Sequence, residues 1–170
     1  RSTLFPYTTL FRSPYSRVHM FHKVEQVSIG PNDRDWSDQE HELLLANSEG
    51  ILQALELPYR VALACTGELG MGQVRKHEVE TWIPSRNAYA ETHSCSTLLE
   101  FQARRSNIRY REGKQSPRFV HTLNNTAVAS PRILVCILEN FQNKDGSVTV
   151  PKALRPFMMG TELLEPAGPR

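Results

Sequence analysis

Cysteine is scarce in this chain. Cys65, Cys95 and Cys136 are the three thiols in 170 residues, widely spaced and odd in number. No CxxC pair occurs, which argues against a zinc ribbon and a disulfide framework. The thiols read as reduced, as in an intracellular protein. Long apolar runs are missing too, and none approaches the ~20 residues of a membrane-spanning helix. Nor does one sign of charge dominate: 20 Lys+Arg against 18 Asp+Glu leave +2, too little to signal nucleic-acid binding by itself. The glycine-rich residues 66–72 (TGELGMG) lack the GK[ST] ending of a P-loop and the GxGxxG spacing, so they read as a backbone turn. What remains, 39% hydrophobic and 22% charged, is an ordinary globular composition.

Residues 1–13 (RSTLFPYTTLFRS) contain no acid, no periodicity and no small-residue cleavage site. Codon by codon they resemble the translation of a common short-read sequencing adapter; a mitochondrial presequence is the alternative. They are set aside as a non-native leader, with residues 14–165 as the domain and 166–170 as a flexible tail. The leader holds Arg1 and Arg12, so residues 14–170 carry 18 basic and 18 acidic groups.

Residues 17–29 alternate as one long strand, with Arg17, His19, Phe21, Lys23 and Glu25 on one face. Gly30 to Asp33 form a turn, and Ser37 with Glu40 makes a capping box that opens a helix to about Leu55. Strands are expected over 59–65, 78–83, 89–96 and 119–123, and a helix over 127–143. Between them lies a basic stretch, 101–111 (FQARRSNIRYR). Strands outnumber helices and are joined by turns or short loops. That predicts an α+β fold, a mostly antiparallel sheet flanked by helices.

Three segments could carry chemistry. Arg17, Phe21 and Glu25 put a cation, an aromatic plate and an anion in one row, suited to a ligand with phosphate, a flat base and an amine, or merely to a cross-strand ion-pair ladder. In residues 91–96 (ETHSCS), Glu91 and Ser94 could both face Mg²⁺ only if the strand bends or bulges. Cys95 near His93 suggests a thiol nucleophile, discounted because neighbouring strand residues face opposite ways. In residues 123–140, Asn124 and Thr126 end a strand. Arg132 follows in the first turns of an apolar helix, where the dipole calls for an anion, either a ligand phosphate or a neighbouring acid. Asn124-Asn125-Thr126 also fits a glycosylation sequon, which the reduced thiols make a chance match.

Together these stretches resemble the catalytic domain of the seryl-tRNA synthetases, a class II aminoacyl-tRNA synthetase family. The resemblance rests on residues 17–26 (RVHMFHKVEQ), 57–72 (LPYRVALACTGELGMG), 79–105, 121–142 (HTLNNTAVASPRILVCILENFQ) and 145–158 (DGSVTVPKALRPFM). The first looks like the returning strand of class II motif 2, the fourth like motif 3. The resemblance implies that Arg17 and Arg132 act in catalysis by gripping the ATP γ-phosphate, with Phe21 stacking on adenine. It implies Glu91 and Ser94 as Mg²⁺ ligands, with Thr92 and His93 beside them in the ATP site. Glu25 would bind the serine ammonium; Asn124 and Thr126 would recognise its hydroxyl.

The implied activity is ATP-dependent formation of seryl-adenylate and transfer to serine tRNA, in a homodimer with no membrane attachment. A cytoplasmic location is implied, with the mitochondrial matrix as alternative. Two other readings stand beside it: a synthetase-like binding or regulatory paralogue, and an amino-acid ligase acting on a carrier protein. The tRNA-gripping arm, motif 1 and the outgoing strand of motif 2 do not occur in these 170 residues. The chain alone is therefore expected to show no serine-dependent ATP–pyrophosphate exchange and to be poorly soluble or molten.

Overall fold

Asp33 sets the first helix. In the computed structural model, which describes residues 18–166, its carboxylate accepts from the Trp36 N–H at 3.0 Å and caps α1 (Arg34–Ala54). The helix therefore begins one turn before the expected capping box. Ser37 lies inside it, fully buried, with its hydroxyl 2.7 Å from His121 Nδ1. Glu40 instead accepts from Ser28 Oγ at 2.6 Å.

The strands are β1 (Lys23–Gly30), β2 (Tyr59–Leu63), β3 (Arg75–Ile83), β4 (Ala88–Leu99) and β7 (His121–Ala129). They form one antiparallel sheet in the order β1-β7-β4-β3-β2. Between β4 and β7 lie α2 (Phe101–Ser106) and the small hairpin of β5 (Arg109–Tyr110) and β6 (Arg118–Phe119). After β7 come α3 (Ser130–Asn140) and the pair β8 (Val148–Thr149) and β9 (Leu163–Leu164). The α+β architecture is as expected.

Most element boundaries differ from the sequence reading by a few residues, and three of the differences bear on the site. The first strand starts at Lys23, not residue 17, so Phe21 precedes it. Strand β7 continues to Ala129 because Val128 and Ala129 still pair with Val24 and Lys23. Helix α3 waits for Pro131, which lacks an N–H and suits a first helical turn.

One face of the sheet is sealed. From α1, Leu44, Leu45 and Leu52 are buried at helical spacing and join Val79, Cys95 and Leu123 of the sheet, with Ile133 and Cys136 of α3. Under the helix the Asn125 amide nitrogen donates to the Leu44 carbonyl and to Ser48 Oγ, while its Oδ1 is buried without a hydrogen-bond partner. His41, wholly buried, lies 2.8 Å from Thr97 Oγ1 through Nδ1 and 2.8 Å from His77 Nδ1 through Nε2. Burial is the main cause that holds its pKa down at about 4.

The opposite face is more open. Val27 and Ile29 of β1 are 65% and 54% exposed there. Across its middle the glycine-rich turn folds over, with Gln73 donating to Ser96 Oγ. Within that turn Gly72 has φ +88°, and a Cβ there would sit 2.3 Å from the Phe101 ring. This glycine serves a turn and a tight contact.

Candidate active site

Strict alternation puts strand residues three apart on opposite faces. Glu91 and Ser94 share one because β4 bulges. Val79 pairs with His93 and Glu80 with Glu91, so Thr92 is the extra residue. Beyond it, Ser94 pairs with Glu78. Glu91 and Ser94 are thus returned to the open face, while Thr92 and His93 turn inward at 3% and 1% exposure.

Strands β4 and β7 are laddered only between Cys95↔Asn125 and Leu99↔Thr122. Their other ends leave a cleft of about 190 Å³ lined by Phe21, Lys23, Glu91, Thr92, His93, Ser94, Thr126, Ala129 and Arg132. Arg132 enters from the first turn of α3. Its Nη1 donates to the Glu91 carbonyl at 3.1 Å and to Glu91 Oε2 at 3.0 Å. A neighbouring acid is therefore the anion that offsets this cation at the helix start.

Glu25, Asn124 and Thr126 lie on the same open face. Glu25 is registered with Thr126, and Val27 with Asn124. Thr126 reaches the cleft, whereas Glu25 and Asn124 stand beside it rather than in its lining. Glu25 pairs with Lys23 at 2.7 Å. Phe21 precedes β1, so Phe21 and Glu25 do not share one strand as the expected row required; Arg17 lies outside the described residues, as do the leader and the tail after Pro166. Lys23, which lines the cleft beside Phe21, went unremarked in sequence as a site residue, although its place on the Phe21 and Glu25 row was the available signal.

Two inward-facing groups need a different account from the one their sequence suggested. Thr92 and His93 border the cleft, but their side chains hydrogen-bond beneath it. Burial drives the His93 pKa down to about 4, against an opposing pull from the Ala127 backbone. Its Nε2 is buried and forms no hydrogen bond of acceptable geometry. Cys95 and His93, two residues apart, in fact share the covered face, so the geometric ground for discounting the thiol fails. Burial disposes of it instead: Cys95 has no exposed surface and its pKa is pushed up to about 12.

As metal donors, one carboxylate and one hydroxyl on a common face fit Mg²⁺, which keeps waters and takes its remaining ligands from substrate phosphates. Among the described residues no three His, Cys, Asp or Glu side chains converge on a metal position. An all-protein cage is therefore absent from that part of the chain. No helix among them is long and apolar enough to cross a membrane.

The model of the tRNA synthetase class II core domain (G, H, P, S and T) matches residues 3–141, a span that begins within the segment read above as a leader. The serine–tRNA ligase of Deinococcus radiodurans is 54% identical over 148 residues, 87% of this chain and 35% of the relative. That of Maricaulis maris is 51% identical over 150 residues, 88% of this chain and 35% of the relative. This chain thus spans about a third of the length of the curated relatives it matches. Among solved structures, seryl-tRNA synthetase from Pyrococcus horikoshii complexed with ATP superposes with a TM-score of 0.86 at 43% identity, covering 90% of this chain and 34% of that one. The cytoplasmic serine-tRNA ligase from Naegleria fowleri in complex with AMP gives 0.83 at 36% identity, covering 88% and 36%. With its antiparallel sheet, its bulged strand and this match over most of its length, the chain belongs to the class II tRNA synthetase core family.

Proposed function

We propose that this chain carries the ATP and serine sites of a serine–tRNA ligase. One observation carries the reading. Seven residues singled out from three separate stretches, Phe21, Glu91, Thr92, His93, Ser94, Thr126 and Arg132, border one cleft. The relatives named serine–tRNA ligase and the neighbours holding ATP or AMP support it.

In this reading Phe21, half exposed at the cleft mouth, stacks on adenine. Arg132 trades its bond to Glu91 for the γ-phosphate, where Arg17 also acts, and so frees the Glu91 carboxylate. Glu91 and Ser94 hold Mg²⁺, which when bound neutralises charge on the ATP phosphates. Glu25 exchanges Lys23 for the serine ammonium, and Asn124 with Thr126 takes its hydroxyl. Those polar groups would be left unpaired by alanine, which is how a hydroxyl site rejects the smaller amino acid. A serine carboxylate oxygen then bonds to the α-phosphorus as the α–β phosphoanhydride breaks and pyrophosphate leaves. A ribose hydroxyl of serine tRNA next attacks the acyl carbon and expels AMP. These residues contribute position and charge compensation. The homodimer, the cytoplasmic location and a domain spanning residues 14–165 without the leader belong to the same proposal.

The test is a chimera in which residues 18–166 replace the matched segment of the Deinococcus radiodurans relative. Serine-dependent ATP–pyrophosphate exchange, with serine passed on to tRNA, is the expected result. A folded chimera that is silent, answers to a different amino acid, or charges only a carrier protein overturns the reading.

A further inference from the structure

We propose that Thr92, backed by Thr81 and His93, is the lock that holds Glu91 and Ser94 on one face of β4. These are positioning residues: they set the site's response to Mg²⁺ without touching metal or nucleotide. The inference rests on the reading of Glu91 and Ser94 given above and adds to it the device that brings them together.

A bulge interrupts a ladder that could otherwise run unbroken. Slipping the first part of β4 by one residue would remove it, and every side chain before Thr92 would then change face. Glu91 would point into the core and Ser94 would stand alone. Something must therefore hold the extra residue in place.

The Thr92 hydroxyl does so. It donates to the Val79 carbonyl at 3.2 Å, and it lies 2.7 Å from Thr81 Oγ1 and 2.9 Å from His93 Nδ1. A hydroxyl offers one donor and two acceptor sites, and these three buried partners use all of them. Val79 and His93 form the ladder pair on one side of the bulge, so the hydroxyl ties the extra residue to the two residues it intrudes upon. Thr81 adds a third fixed point two residues along β3, with no exposed surface of its own. From the open face Arg132 holds the Glu91 carbonyl. The bulge is gripped from both sides. Valine fills the same space as threonine but satisfies none of these partners, leaving the slipped register as the alternative.

A merely stabilising threonine would affect ATP binding with and without metal alike, which gives the discriminating measurement. ATP affinity is measured by equilibrium dialysis with Mg²⁺ and with EDTA, in the 170-residue chain and in the chimera. Thr92→Val is expected to shrink the gain in affinity due to Mg²⁺ by ~10-fold or more, the scale on which groups behind metal ligands act. The metal-free affinity should stay within about twofold, because Phe21 and Arg132 are untouched. Thr92→Ser, which keeps the hydroxyl, restores the gain. Thr81→Val, which removes one contact of three, gives a smaller loss in the same ratio and carries the test should Thr92→Val not fold. An Mg²⁺ gain indifferent to both valine variants overturns the proposal, as does an equal loss with and without metal that serine fails to rescue. ATP binding with no Mg²⁺ gain in the unsubstituted protein overturns the metal assignment itself. Absence of ATP binding from both proteins overturns that assignment and the lock together. An Mg²⁺ gain lost in Thr92→Val without serine-dependent exchange leaves the lock standing and removes the serine reading.

Discussion

The two faces of the sheet are built from the same strands and obey different rules. Asn124 and Asn125 are neighbours on β7. Asn125 is wholly buried beneath α1, where its amide nitrogen donates to Leu44 and Ser48, whereas Asn124 is half-buried on the face that carries the cleft. On the covered side even polar residues serve stability. On the open side charged groups are held in provisional pairs, Lys23 with Glu25 and Arg132 with Glu91, that a ligand can replace. The face a residue occupies, more than its type, decides what its loss should do.

That contrast breaks if a change on one face has the other face's effect. The largest expected effect is at Arg132. Arg132→Ala in the chimera should lower pyrophosphate exchange by ~10²–10³-fold, the usual scale for losing one charge-stabilising group. Its melting temperature should barely move, because the pair with Glu91 is partly exposed, at 39% and 35% of side-chain surface. On the covered face Leu52, with no exposed surface, should behave in reverse. Denaturant titration of Leu52→Ala should show a loss of about 3 kcal/mol, with ATP affinity of the folded protein unchanged.

The asparagines give the sharpest version. Asn125→Ala should cost about 1–3 kcal/mol by leaving Ser48 and the Leu44 carbonyl short of a partner. Asn124→Ala should instead raise the KM for serine while leaving the denaturation midpoint alone. Equal effects from the two would dissolve the distinction.

The smallest expected effect concerns pH. His41 faces Arg75 and His77, which lower its pKa along with burial, and Glu42 and Asp38, which raise it. The folded imidazole titrates near 4 against 6.5 in the unfolded chain, so between those values the unfolded state binds the extra proton. Stability therefore rises with pH across this window and falls on acidification. His41→Gln should flatten that part of the stability profile; an undiminished slope would put the titration elsewhere.

Much of the architecture was legible because it follows from alternation and turn residues. The hairpin of β3 and β4, the helix over α1 and the antiparallel sheet all leave a periodic trace. Boundaries were less legible. Ser37 and Glu40 satisfy the local pattern of a capping box, but His121 and Ser28, distant in sequence, claim their side chains. The end of β7 was hidden because residues 127–129 are small or apolar and fit either a strand or a helix. In the site, the need for a bulge between Glu91 and Ser94 was visible from parity alone. Its location at Thr92 was not, since it depends on contacts across to Val79 and Thr81. The inward turn of Thr92 and His93 was hidden for the same reason.

The extra residue in β4 also bears on how this stretch can change length. In a loop, losing one amino acid shortens a connection. Deleting Thr92 would instead remove the bulge and leave the ladder unbroken, with Glu91 still opposite Glu80, Ser94 still opposite Glu78 and both side chains on the open face. The count of residues here is therefore open to change at position 92 itself, and the Thr92 hydroxyl matters only while the extra residue is present.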